Sequence, residues 1–294
     1  MKDNFSAYIY FAGWRVVRWM PESSAYRLAF WVADFLVKRN GKSVQRLRSN
    51  LSRTQPGITA LDLDLLVIEA MRSYMRYWCD TFRLPDWSKK RILDTVTVTN
   101  EHLLIDAIAA KTGVIVAVPH AGNWDHAGAY FCAKGIRLVT VAERLKPEKL
   151  FLKFLAYRQA MGMEVLPLDG RVLGTLEQRL RQGALVALIA DRDLSRSGIA
   201  VTFFGAPSRM PPGPAILALK TDAPLITAFV SYTETGIQID FNQVSLPTSG
   251  SDEEKISHIV QDMAQQFEVG ITAHPEDWHM LQRIWTDGDF RERV

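Results

Sequence analysis

Val114-Ile-Val-Ala-Val-Pro-His-Ala-Gly-Asn-Trp-Asp125 is the stretch that decides the fold. Its first five residues form an unbroken aliphatic run, the pattern of a strand buried on both faces. Pro119 stops it. Gly122 tolerates unusual dihedrals, and Asn123 is a natural N-cap for a helix that follows. Strand, tight turn and helix is the repeating unit of open α/β sheets, whose sites gather at the carboxyl ends of strands. His120 sits at such an end, where an imidazole suits general-base activation of a hydroxyl. Asp125 follows five residues later, and on one continuous helix such positions point about 140° apart. The turn at 121–123 is therefore needed if the two side chains are to meet. Asp125 falls in the first helical turn, where the macrodipole favours its negative charge.

The same rhythm recurs downstream. Strand-like runs lie at 96–98, 114–118, 138–141, 165–168, 184–189, 225–230 and 237–241. Helical patterns lie at 101–110, 125–134, 147–161, 171–182, 212–221 and 251–273, the last opened by a capping box of Ser251 and Glu254. This alternation predicts an α/β fold with a central, mostly parallel, seven-stranded-type sheet flanked by helices. Upstream, residues 5 to about 93 read as helical, broken at Met20-Pro21, with Ser23 or Ser24 as a cap, and again at Asn40-Gly41 and Leu84-Pro85-Asp86. We expect residues 1–94 to be an N-terminal helical, membrane-proximal segment and residues 95–294 to be the α/β core. Residues 203–214, rich in Gly and Pro, read as a loop opening a helix.

Composition narrows the classes. With 35 basic against 32 acidic residues among 294, the formal charge of +3 makes no case for nucleic acid. Cys79 and Cys132 form no zinc or redox motif and read as buried free thiols. No cleavable signal peptide is predicted, and no run reaches the roughly 18 apolar residues of a membrane span. Residues 7–37 crowd Tyr8, Tyr10, Phe11, Trp14, Trp19, Tyr26, Phe30, Trp31 and Phe35 together, with Arg15, Arg18, Arg27, Lys38 and Arg39 among or just after them. Such a mixture suits the headgroup layer of a membrane, or packing onto the rest of the chain, with different faces able to do each.

Nucleophile elbows, Walker loops and dinucleotide fingerprints are absent. Asp125-His126 after His120 invites a metal-dependent hydrolase, but the other histidines supply no converging spacing, so no metal is expected. Charged groups instead recur at predicted strand ends: Glu143 and Arg144 after 138–141, and Asp191, Arg192 and Asp193 after 184–189. Either these pair with one another or the arginines await an anionic ligand. Arg158 extends the basic surface with Lys146, Lys149 and Lys153. Trp278 and His279 read as a structural C-terminal anchor.

His120-x4-Asp125, Glu143-Arg144, Phe204-Gly205 and Met210-Pro-x-Gly213-Pro-Ala215 resemble the lysophospholipid and lipid A acyltransferase superfamily. Within it the chain is most similar to the phosphatidylinositol mannoside acyltransferases, through AGWRVVRWMPE, YMRYWCDTFRLP, VPHAGNWDHAG, TVAERLKPE, YRQAMGMEVLPL, DRDLSRSG, FFGAPSRMPPGPA and DWHMLQ, spread from residue 12 to residue 282. The resemblance implies transfer of a palmitoyl-type chain from acyl-CoA to the 6-hydroxyl of a mannose on phosphatidylinositol mannoside, at the cytoplasmic face of the plasma membrane. It implies acyl-CoA as co-substrate, no cofactor, and peripheral attachment to the membrane. His120 matches the family's general base, and Glu143, Arg158 and Arg192 match polar positions of its site. Where the family's best-known pattern places a glutamate, this chain has Asp191, one methylene shorter, so either Asp191 or Asp125 partners His120. Trp124, Tyr130, Phe131, Phe154 or Leu173 are candidates to line an acyl groove. Lipid A lauroyl transfer and non-catalytic lipid binding are the competing readings.

Overall fold

The structure, a computed structural model, describes residues 13–142, 148–193 and 195–287. Residues 13–19 are helical, followed by α1 (Glu22–Arg39), α2 (Lys42–Thr54), α3 (Ala60–Arg83) and α4 (Lys89–Asp94). The chain then alternates through β1 (Val96–Thr99), α5 (His102–Ala109), β2 (Val114–Val118), α6 (Trp124–Ala133), β3 (Leu138–Ala142), α7 (Glu148–Ala160) and β4 (Glu164–Pro167). It continues through α8 (Val172–Arg181), β5 (Leu185–Ile189), β6 (Ile199–Phe203), β7 (Ala206–Met210), α9 (Gly213–Thr221), β8 (Leu225–Tyr232), β9 (Ile237–Gln243) and α10 (Asp252–Ala273).

Among the described residues, seven strands form one sheet in the order β1-β9-β8-β2-β5-β3-β4. All neighbours run parallel except β8 and β9, as the alternation of strands and helices predicts. Both faces of β2 are covered. Ile115 and Ala117 enter a core shared with Val44, Leu47 and Met71 of α2 and α3 and with Phe267 of α10. Val114, Val116 and Val118 enter a second core with Phe131, Leu138 and Phe241. Burying aliphatic side chains on both sides, at about 1.5–3 kcal/mol each, selects an unbroken hydrophobic strand over an alternating one.

Helix ends follow local chemistry. Thr59 caps α3 by accepting the Asp62 amide at 3.1 Å, and Ser251 with Glu254 completes the expected capping box of α10. The expected serine cap of α1 does not form: Pro21 occupies the N-cap position, and no side chain caps the helix. The stretch 199–210 departs further from expectation. It is an antiparallel hairpin, β6–β7, with Phe204 and Gly205 both at positive φ in the turn. Its Phe203 and Met210 are buried, so side-chain burial overrides the Gly/Pro signal.

Candidate active site

β2 and β5 are adjacent and parallel, with Val118 opposite Ile189. Two residues beyond that pair, just past the strand ends, lie His120 after β2 and Asp191 after β5. The Asp191 carboxylate is fully buried and accepts three donors. Its Oδ1 stands 2.6 Å from His120 Nδ1, while Oδ2 accepts the His120 amide at 2.9 Å and the Trp278 indole N–H at 3.1 Å. Burial alone raises a carboxyl pKa, but His120 and these donors outweigh it and hold Asp191 below its ordinary value. An ionised Asp191 can only accept, so Nδ1 carries the proton and Nε2 carries the lone pair.

The His120 side chain is 37% exposed, and its Nε2 has no hydrogen-bond partner among the described residues. Burial pulls the imidazole pKa down, yet the Asp191 charge and hydrogen bond leave it raised above 6.5. A neutral, exposed lone pair with a supported imidazolium is what a general base requires.

The turn that carries His120 follows expectation. Gly122 has φ +54°, and a Cβ there would meet the Val230 carbonyl oxygen at 2.4 Å. Asn123 caps α6 by accepting the His126 amide at 2.9 Å. Asp125 lies in the first turn of α6 but is turned away from His120. It accepts Arg158 Nε at 2.7 Å and the Tyr77 hydroxyl at 3.1 Å. Asp191, rather than Asp125, is therefore the partner of His120.

Arg158 does not extend a basic surface as the sequence led us to expect. Its side chain is 19% exposed, and desolvation is outweighed by Asp125, so its pKa is raised. Arg192, next to Asp191, donates its Nε to the Arg283 carbonyl at 2.7 Å. Glu143 and Arg144 lie outside the described residues. His126, the third group of the metal reading, is buried beside Thr95 and Trp87, and desolvation pulls its pKa down to about 4. His120, Asp125 and His126 thus do not converge. Cys79 and Cys132 are free, and burial pushes their thiols up to about 12 and about 11.

Beneath the site lies a cavity that periodicity did not reveal. It is partly open and holds about 80 Å³ between one face of the sheet and α6. That is smaller than the roughly 300–1,000 Å³ of small-molecule sites. Val116, Val118, Ala187, Ile189 and Phe131 give it apolar walls, and Asp125 and Arg158 give it a polar edge. Trp124 lines it and also stands edge-on to the His120 ring, with centroids 5.9 Å apart. Of the side chains expected in an acyl groove, Trp124 and Phe131 line this cavity. Tyr130 instead meets Glu101 and Lys134, Phe154 stacks near Trp14, and Leu173 faces solvent.

The amphipathic N-terminus divides by face. Trp14 is buried and donates its indole N–H to the Phe82 carbonyl, and the Tyr26 hydroxyl donates to Asp80 at 2.5 Å. Trp19, Trp31 and Phe35 point outward, 76%, 64% and 46% exposed, with Arg15 over Trp19 and Arg39 over Phe35. Tyr8, Tyr10 and Phe11 lie outside the described residues. Among the described residues, no helix is long and apolar enough to cross a membrane.

Residues 1–287 match the family described as bacterial lipid A biosynthesis acyltransferase. The chain is 41% identical over 282 residues to the phosphatidylinositol mannoside acyltransferase of Mycobacterium tuberculosis strain H37Rv, covering 94% of this chain and 87% of that one. It is 40% identical over 279 residues to the protein of the same name from Mycolicibacterium smegmatis, covering 94% and 90%.

Proposed function

The chain belongs to the bacterial lipid A biosynthesis acyltransferase family, and on that footing we propose that it moves a palmitoyl-type chain from acyl-CoA to the 6-hydroxyl of a mannose on phosphatidylinositol mannoside. The observation that carries the mechanism is the His120–Asp191 pair, which leaves an exposed Nε2 lone pair beside an apolar cavity. The sugar hydroxyl gives its proton to Nε2 as its oxygen attacks the thioester carbonyl. Asp191 steadies the imidazolium, and coenzyme A leaves as the thiol, taking the proton back. General-base help of this kind is worth about 10² to 10⁴ in rate. No hydroxyl or thiol among the described residues stands within hydrogen-bond reach of Nε2, which favours direct transfer over an acyl-enzyme.

The cavity marks the entry for the fatty tail and must widen to take the whole chain. A sixteen-carbon chain carries about 15 methylene and methyl groups, and burying them yields at most about 12 kcal/mol at 0.8 kcal/mol each. Asp125 serves by fixing Arg158 at the cavity edge near the reacting carbonyl. Arg192, with Glu143 and Arg144, contacts the charged parts of the two substrates, an assignment that rests on the family resemblance.

Acceptor trials test the substrate. Purified protein with palmitoyl-CoA is expected to acylate mannosylated phosphatidylinositol and to leave lipid A precursors unmodified. The reverse preference would overturn the acceptor assignment and favour the lauroyl-type reading.

The exposed aromatic face with its cations is assigned to the cytoplasmic leaflet of the plasma membrane, where the protein lies on the surface. Vesicles containing phosphatidylglycerol are expected to bind it, less tightly as salt rises. Changing Trp19, Trp31 and Phe35 together to serine is expected to weaken binding on the order of 10²-fold, as for three half-buried rings. Unchanged binding by a folded triple variant would move the contact elsewhere.

A further inference from the structure

The sequence marks Trp278 and His279 as a plain structural anchor, but the structure ties both to the candidate base. Residues 277–279 form a strap across the carboxyl ends of β2 and β5. Gly122 donates its amide to the Asp277 carbonyl at 2.9 Å, and His279 donates its amide to the His120 carbonyl at 2.7 Å. Between them, Trp278 bridges Ala121 through the backbone and reaches Asp191 through its indole. The loop bearing His120 and the carboxylate serving it are thus held by three consecutive residues.

The strap is itself fixed from two sides. Asp277 Oδ1 accepts the Ser73 hydroxyl of α3 at 2.5 Å, and Oδ2 accepts the Tyr232 amide of β8 at 2.7 Å. Ser73 has one proton, which it gives to Asp277, so its oxygen receives the His279 Nε2–H at 2.9 Å. Every residue of the strap and its anchors is buried except His120 and Tyr232, which are half-buried.

We propose that Trp278 is a positioning residue for His120, acting through Asp191, and that Ser73 sets the strap from which it acts. A carboxylate turns about its Cβ–Cγ bond. The Trp278 N–H and the His120 amide together pin Oδ2, and that leaves Oδ1 aimed at Nδ1. Without the indole donor a buried charge loses one of its three hydrogen bonds, and the alignment loosens. This inference rests on the general-base reading of His120 and adds to it the element that orients the base.

The test compares Trp278→Phe with His120→Ala, using steady-state kinetics and the proton NMR signal of the Asp191-bound Nδ1–H. Trp278→Phe is expected to lower kcat about tenfold with unchanged KM for both substrates, and to broaden the Nδ1–H signal by faster exchange. A variant of lower melting temperature but unaltered kcat and signal would overturn the proposal, because Trp278 would then be packing alone. If Trp278→Phe does not fold, Ser73→Ala, which touches neither His120 nor Asp191, decides by the same two readouts. His120→Ala separates the two ideas. Full transfer by that variant rejects the general-base reading itself, and its loss beside an unaffected Trp278→Phe rejects only the positioning role.

Discussion

Asp191→Asn is expected to lower turnover by about 10²- to 10⁴-fold while leaving the fold intact. The reason is geometric. Two N–H donors, from the His120 backbone and Trp278, converge on Oδ2. An asparagine must present its only oxygen there and its NH2 to His120 Nδ1. The imidazole then accepts at Nδ1 and carries its proton on Nε2, so the exposed nitrogen loses its lone pair. The same loss through a wrong tautomer is known for the carboxylate of serine-protease triads. His120→Ala is expected to cost at least as much. Rates with Asp191→Asn near wild type would show that the carboxylate does not set the tautomer.

The pH dependence follows with a definite sign. The base acts when neutral, so kcat/KM rises with pH through the His120 pKa. Asp191 raises that pKa, which places the acid limb above 6.5 in the native protein. Replacing the carboxylate leaves burial as the main influence, and any residual activity is expected to have its limb at lower pH. An unmoved limb would mean that another group titrates.

Asp125 and Arg158 predict a different phenotype, one of stability. Their side chains are 2% and 19% exposed and are bonded at 2.7 Å. Removing one partner strands a buried charge, so Arg158→Leu or Asp125→Asn is expected to cost about 3–5 kcal/mol in urea unfolding. Replacing both with apolar residues of similar volume is expected to cost less than either single change, because no charge is left uncompensated. Single variants within about 1 kcal/mol of wild type would show that the pair is well hydrated. The two aspartates near the site are thereby separable: Asp191 variants lose turnover with the fold intact, whereas Asp125 variants lose stability as well.

Much of this was legible in the chain because it is local. Five aliphatic residues and a proline define β2, and Gly122 and Asn123 define the turn, since backbone freedom and capping act within a few positions. Alternating runs define the α/β class. The hairpin β6–β7 was illegible because its turn signal, Phe204-Gly205, lies amid prolines that read as a loop. Its strands are held by burial of Phe203 and Met210, which no local pattern reports.

The sequence alone thus determined the sheet, the loop and the histidine, since each depends on neighbours a few residues away. Only the tertiary structure decided that Asp191, 71 positions distant, holds that histidine, and that Asp125 turns to Arg158. Strand order brings β5 beside β2, and strand order is fixed by how two hydrophobic cores fill on either side of the sheet. The cavity and the strap at Trp278 have the same origin: they are spaces and contacts between elements, set by packing.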